Sequence, residues 1–446
     1  MRFFTISTSG ARKSARLPTN PATDEAATLL RYHAATMKKI VVLFLVLALG
    51  AAIVFGALFV DRMAVNYITG QRRIAGEGFW GEGIANDGPV PGYAFLGFTR
   101  PSEEPPGFRI MRPWEMAREI GLERGDVVTS VEGETFSSSR ELMSHLVRNF
   151  EAGETVRLKA VTEGEPERAL TMTLRAFVRH PGDLDLPYEE IEIASDSGYL
   201  LRGWYIPPPQ RSDGRVGIFV HGANSSRFQA LENGAKYWHH RGYGLIAMDL
   251  SGRGASEGDY ITYTVNERHD VKAMLRWARH HPGIDPERVV LFGTSNGAAS
   301  AIYAAAGDPE LKALALDAPY ADLWDAAGAM ISSRGGYAAL RYPLFLAVRL
   351  RLGVDLRSVR PADVINEIEA PVLFVHGDAD RQVPIAHSES MHEARKGAGL
   401  ESTLWVLPGG EHGFDNYPPE GIFWNRILDF FDLALGGPPP EWELSS

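Results

Sequence analysis

Apolar and polar positions alternate in three different ways along the chain. From Val216 onward, short uninterrupted apolar runs recur at "RVGIFVHG", "GYGLIAMDLSG", "RVVLFGTS", "KALALDAP", "PVLFVHGD" and "STLWVLPG". Each ends at a glycine or small polar residue and is followed by a helical pattern. Strands buried on both faces read this way, so residues 189–435 are expected to form an α/β domain around a mostly parallel sheet. Between 88 and 175 the runs are shorter and alternate apolar with polar around one amphipathic segment carrying Leu142, Leu146 and Val147. That is the pattern of a small β-rich domain with a helix. The third regime is an apolar run without charge from Ile40 to Val60, long enough to span about 30 Å of hydrocarbon as a helix.

These patterns divide the chain into a tail (1–39), a transmembrane segment (40–60), a Gly-rich linker (61–87), the β-rich domain (88–175), the α/β domain (189–435) and a C-terminal tail (436–446). Met37 is an alternative start for the chain. Lys38 and Lys39 precede the apolar run, and positive-inside reasoning then places both domains outside the cytoplasm of a bacterial inner membrane, as a single-pass protein. A cleaved signal peptide is the rival reading. Within the α/β domain, residues 324–360 break the strand–helix rhythm with apolar and aromatic residues, and are expected to form a small cap. Tyr342, Leu344, Phe345 and Leu346 would line a pocket there or pack cap against core. The basic amphipathic run "RYPLFLAVRLRLG" is also compatible with contact to a membrane surface.

Composition narrows the chemistry. A formal net charge of −11 over 446 residues gives no general basic surface, which argues against nucleic acid as a partner. The chain has no cysteine, so disulfides, thiolate metal sites and a cysteine nucleophile are excluded. None of the 13 histidines has a zinc-like partner set, and no spacing implies a metal or organic cofactor.

The motif that carries chemistry is "GTSNG", Gly293–Gly297. It follows a buried strand and opens an alanine-rich helix, the context in which G-x-S-x-G makes a sharp turn and exposes its serine, here Ser295, at a helix N-terminus. A serine hydroxyl needs a base, and the base needs a carboxylate to hold its tautomer. "VHGDADRQVP" supplies Asp378 or Asp380 at a later strand end, and "LPGGEHGF" supplies His412 in a glycine-bounded loop beyond it. An oxyanion would meet the N–H of Asn296 and one from "FVHGANSS", at Ala223 or Asn224. His221 and His376 read as structural residues at strand ends.

Residues 189–435 resemble the α/β-hydrolase superfamily, and its serine aminopeptidase and prolyl-oligopeptidase relatives in particular. The resemblance favours Asp380, in "DRQVP", as the acid, and leaves Asp378 as a turn residue. The further glycine frequent after such motifs is Ala298 here. Residues 88–175 resemble a bacterial PDZ domain, through "FLGF" and "GLERGDVVTSVEGE". That resemblance implies capture of a protein or peptide C-terminus by backbone N–H groups at Leu96, Gly97 and Phe98. The combined expectation is a membrane-anchored serine hydrolase acting on small esters, thioesters or amides, or a serine peptidase. The reading from another class is a PDZ scaffold with an idle hydrolase domain.

Overall fold

The computed structural model describes residues 89–113, 115–413 and 417–438. The first part is β-rich. Strands β1 (Gly92–Tyr93), β2 (Gly97–Ser102) and β3 (Gly107–Pro113) lead to helix α1 (Glu115–Glu119), then β4 (Val127–Val131), helix α2 (Ser139–Asn149), β5 (Thr155–Val161), β6 (Arg168–Thr173) and β7 (Arg175–Ala176). β2 to β6 form an antiparallel sheet in sequence order, and β1 pairs with β7. β2 is therefore an edge strand. α2 starts where Ser138 accepts the N–H of Glu141 (3.2 Å) while Glu141 accepts that of Ser137 (2.7 Å). Its apolar face, Leu142 and Leu146, joins Leu96, Phe108, Ile110, Val156 and Leu158 in one core.

The second part begins with β8 (Glu189–Ala194) and β9 (Leu200–Ile206), followed by β10 (Val216–Val220), α3 (Phe228–Asn233), α4 (Ala235–His240), β11 (Gly244–Met248), α5 (Glu267–His280), β12 (Val289–Thr294), α6 (Asn296–Ala305) and β13 (Leu314–Asp317). Helices α7 (Leu323–Ser333) and α8 (Arg341–Leu352) intervene before β14 (Val372–Gly377), α9 (Ala386–Gly397), β15 (Ser402–Leu407) and α10 (Glu420–Ala434). The eight strands run β15-β14-β13-β12-β10-β11-β9-β8. β10 to β15 are mutually parallel, and β8 and β9 are antiparallel additions at one edge.

Because strand side chains alternate, each parallel strand feeds two cores. Ile218 and Leu291 belong to a cluster with Val271, Met274, Ile302 and Met391, from α5, α6 and α9. Their neighbours Phe219 and Phe292 belong to another with Trp238, Trp424 and Phe431, from α4 and α10. Both faces of the sheet are thus covered, which is why its strands carry no polar alternation. A third cluster joins α7 and α8 to loops at the sheet's end through Ile261, Tyr263, Tyr320, Leu323, Phe345 and Val348. Of the four expected cap residues, Phe345 is buried and Leu344 half-buried, while Tyr342 and Leu346 are exposed. Tyr342 packs edge-on against Trp324, with ring centroids 4.6 Å apart.

The expected single-pass placement in an inner membrane is overturned: among the described residues no helix is long and apolar enough to cross a bilayer. The longest, α10, has 15 residues, about 22 Å at 1.5 Å per residue against a core of about 30 Å. It also carries Arg426, Asp429 and Asp432. The apolar run 40–60 itself lies outside the described residues, as do the tail 1–39, the linker 61–87 and most of the C-terminal tail.

Candidate active site

The C-terminal ends of the parallel strands carry the candidate catalytic residues Ser295, Asp380 and His412, at the end of the sheet where α/β proteins gather ligands. At the end of β12, Ser295 has φ 53° and ψ −117°, a strained position for a residue with a side chain. The glycines on either side have measurable steric reasons. A Cβ on Gly293 would lie 2.7 Å from the Gly297 carbonyl oxygen and 2.8 Å from Ala298 Cα. One on Gly297 would lie 2.4 Å from the Val220 oxygen and 2.5 Å from that of His221. Ala298 is fully buried, so a methyl group is accommodated where relatives of this motif often have glycine.

Gly297 yields a sharp prediction, because helix propensity and packing disagree about it. Alanine is favoured over glycine inside a helix by about 1 kcal/mol, but here its methyl group meets two backbone carbonyls. Gly297→Ala is expected to destabilise by about 1–3 kcal/mol, the usual range for overpacking. It should also lower turnover about a hundredfold, since the end of β10 and the serine shift relative to each other. Gly397, at the end of α9, has nothing within 4 Å of its added Cβ, and Gly397→Ala should be neutral or stabilising. Equal melting temperatures for the two variants would refute this account.

Ser295 Oγ lies 3.0 Å from His412 Nε2, and His412 Nδ1 lies 2.7 Å from Asp380 Oδ2. With Nδ1–H donating to the carboxylate, Nε2 is left to accept the serine proton. The other carboxylate oxygen accepts the N–H of Gln382 (2.8 Å) and of Val383 (2.9 Å). Burial alone would raise the Asp380 pKa. The His376 and His412 rings and the Val383 N–H outweigh it, and hold the carboxyl well below the ordinary range. Asp378 is exposed and accepts the N–H of Gly409 at 2.6 Å, so the two aspartates serve different loops. Strand β14 can bring these loops together because a Cβ on Gly377 would fall 2.2 Å from the Gly410 oxygen.

The loop after β10 lies beside the serine: a Cβ on Gly222 would be 3.7 Å from Ser295 Cβ. His221 shapes this loop. Its Nδ1–H donates to the Gly222 oxygen (2.8 Å) and its Nε2 accepts the N–H of Leu250 (3.0 Å). Burial lowers its pKa to about 3, so the ring stays neutral in this role. Ala223 is half-buried, and Asn224 next to it is exposed. The Ala223 carbonyl accepts from the buried Arg253, which pins the peptide from behind. Asn296 opens α6 directly after Ser295. The residue that follows the serine and the loop after β10 thus adjoin Ser295.

Asp317 escaped the sequence reading, its only signal being its place at the end of "ALALD". It is fully buried, which raises its pKa. Its carbonyl accepts the Ser295 N–H (2.7 Å), and its carboxyl accepts the hydroxyls of Thr294 (2.9 Å) and Tyr417 (2.8 Å). One residue thus ties the serine turn to the segment that follows His412.

In the β-rich domain, Leu96 is buried and its N–H donates to Ser139 Oγ at 2.7 Å. Ser139 N–H in turn donates to Thr99 Oγ1 at 3.1 Å. The Leu96 N–H is thereby occupied within the protein, while Gly97 and Phe98 lie at the start of edge strand β2. A cavity of about 680 Å³ lined by Tyr93, Leu184, Leu231, Glu232 and Tyr237, among others, contains none of the Ser295, Asp380 or His412 side chains. Among the described residues no group of three or more His, Asp or Glu is arranged to hold a metal ion.

A model of the Peptidase S15 family, X-Pro dipeptidyl-peptidases, matches residues 184–345. The domain has the α/β-hydrolase fold. Similar curated proteins include YfhR of Escherichia coli strain K12, uncharacterised, at 27% identity over 55% of this chain and 81% of that protein. WAV2 of Arabidopsis thaliana, an α/β-hydrolase domain-containing protein, is 26% identical over 56% of this chain and 81% of its own. A Pyrococcus furiosus esterase of known structure superposes with a TM-score of 0.47 at 23% identity, covering 57% of this chain and 95% of that one.

Proposed function

We propose that the chain is a serine hydrolase that cleaves ester, thioester or amide bonds through an acyl-enzyme on Ser295. The observation that carries this reading is the continuous hydrogen-bonded path Ser295–His412–Asp380, at 3.0 and 2.7 Å. In the first step Ser295 Oγ attacks the carbonyl carbon as its proton passes to His412 Nε2. Asp380 stabilises the imidazolium and holds its orientation. The negative charge that develops on the carbonyl oxygen is met by the N–H groups of Ala223 and Asn296. His412 then gives its proton to the leaving group. Water, activated by the same imidazole, attacks the acyl-enzyme and releases the acid and the free serine. The test is covalent labelling by a fluorophosphonate, with the modified peptide mapped by mass spectrometry. An unlabelled protein would favour the scaffold reading.

The match to Peptidase S15 over residues 184–345 supports a second reading, a serine peptidase. Comparing kcat/KM for nitrophenyl acyl esters with that for aminoacyl and Xaa-Pro anilides separates the two. A preference for the anilides, once intrinsic reactivity is allowed for, favours the peptidase.

The β-rich domain, about 88–175, fits this scheme as a PDZ-like module that recruits a protein or peptide. An extended ligand would add to edge strand β2, with its C-terminal carboxylate at the Gly97 and Phe98 N–H groups. Recruitment raises local substrate concentration without altering the chemistry. Peptides with a free C-terminus are then expected to bind the full chain at least about tenfold more tightly than their amidated forms, as read by fluorescence polarisation. Equal affinities would end the carboxylate-capture idea.

A further inference from the structure

Two loops outside the Ser295–His412–Asp380 path converge on the side chain of Asn296. The first precedes α5. In it Tyr263 and Thr264 adopt φ of 46° and 83°, the left-handed region, which is costly for an aromatic and worse for a β-branched residue. The buried carboxylate of Glu267 holds this pair in place. It accepts the N–H of Thr262 and of Thr264, both at 2.7 Å, and the Thr262 hydroxyl at 2.8 Å. Such strain persists only where the surroundings over-determine it, and it concentrates at working parts of proteins. Its effect here is to carry the Thr264 hydroxyl fully inside the molecule. The second loop leaves β13 through Ala318, also at positive φ (46°), and delivers the buried Tyr320.

Tyr320 Oη lies 2.9 Å from Asn296 Oδ1, Thr264 Oγ1 lies 3.2 Å from the same oxygen, and the two hydroxyls are 2.7 Å apart. Each hydroxyl has one proton. The arrangement that fits the distances has Thr264 donating to Tyr320 and Tyr320 donating to Asn296. From its own helix, Ser300 donates to the Asn296 carbonyl oxygen at 2.9 Å. Asn296, Thr264, Tyr320 and Ser300 are all buried, so loss of any one hydroxyl would leave an interior partner unsatisfied. Both loops are also embedded in the apolar cluster that includes Leu323, Phe345 and Val348 of α7 and α8. The helical segment between β13 and β14 is thereby fastened to the residue that follows the nucleophile.

We infer that Tyr320 and Thr264 are positioning residues, clamping the Asn296 side chain so that its backbone N–H is held toward the oxyanion formed at Ser295. This rests on the serine-hydrolase reading. An oxyanion donor contributes mainly in the transition state, so loosening one should lower kcat and leave KM largely alone. A merely structural role would lower stability or the amount of active enzyme, and would have no reason to respect the hydroxyl.

The experiment uses the full chain, with fluorophosphonate labelling of the wild type as the first arm and steady-state hydrolysis of a nitrophenyl ester as the second. Tyr320→Phe and Thr264→Val keep the ring and the branched shape while deleting each hydroxyl. Each is expected to lower kcat about tenfold with KM within about twofold of wild type. Thr264→Ser, which restores the hydroxyl, should recover most of the rate. The double variant should lose less than the product of the single losses, since both act on one oxygen. If the wild type labels but kcat is unchanged, if KM rises instead, or if Thr264→Ser fails to rescue, the clamp is refuted while the hydrolase reading stands. If the wild type does not label, both fall. Should Tyr320→Phe melt early, the Thr264→Val and Thr264→Ser pair, active-site-titrated at matched melting temperature, decides the matter.

Discussion

Ser295→Ala is expected to abolish fluorophosphonate labelling and to lower kcat by roughly five to six orders of magnitude, about 7–8 kcal/mol of transition-state stabilisation. Alanine keeps a Cβ at the φ 53° turn, so the elbow should persist and substrate binding should change little. The residual rate above that of water would come from the Ala223 and Asn296 N–H groups and from substrate orientation, which do not need the serine. His412→Ala should be nearly as severe, because the serine then has no acceptor for its proton at the 3.0 Å position. Losses on the two residues should not add, since they act as one unit. A Ser295→Ala enzyme that retained a tenth of wild-type turnover would exclude acyl transfer through this residue.

How much of this was legible beforehand differs from one feature to the next. Fully buried strands announce themselves, because no polar position interrupts them. The α/β class and its mostly parallel sheet followed from six such runs, each followed by a helical pattern. Strand order did not follow: periodicity locates β10, β11 and β12, but nothing local says that β10 lies between the other two. In the candidate site, the glycines around Ser295 could be read as turn formers. The steric neighbours of Gly297, the carbonyls of Val220 and His221, lie at the end of β10, about 75 residues earlier. Thr264 and Tyr320 left no pattern at all, and Asp317 only its place at the end of an apolar run. Each sits at a strand end or in an irregular loop, and its partners are assembled only by the tertiary fold. The occupied N–H of Leu96 was equally hidden, since Ser139 lies 43 residues away. The membrane expectation failed for another reason. An apolar run long enough to span a bilayer is a statement about length and charge, and the described helices, the longest of 15 residues, do not supply such a span.

The two aspartates two residues apart give the last prediction, and the structure makes it asymmetric. Asp380→Asn is expected to lower kcat by about four orders of magnitude, because an amide at this position can donate to His412 Nδ1 and so favour the tautomer with its proton on Nε2, facing the serine. Asp378→Asn should stay within a few-fold of wild type, since its oxygen serves Gly409 at a loop edge and an amide oxygen can still accept there. Stability supplies an independent check. The Asp380 carboxyl is held below its unfolded pKa of about 3.9, so its ionised form favours the fold. That contribution is complete above the unfolded value, and is lost as the pH falls from there through the lower folded value. The stability difference between wild type and Asp380→Asn should therefore be constant above about pH 5 and shrink below about pH 4, as followed by urea unfolding. A difference that grew on acidification would mean the carboxyl is not held in its charged form. If Asp378→Asn proved the more damaging to turnover, the acid would have to be reassigned despite the 2.7 Å contact between Asp380 and His412.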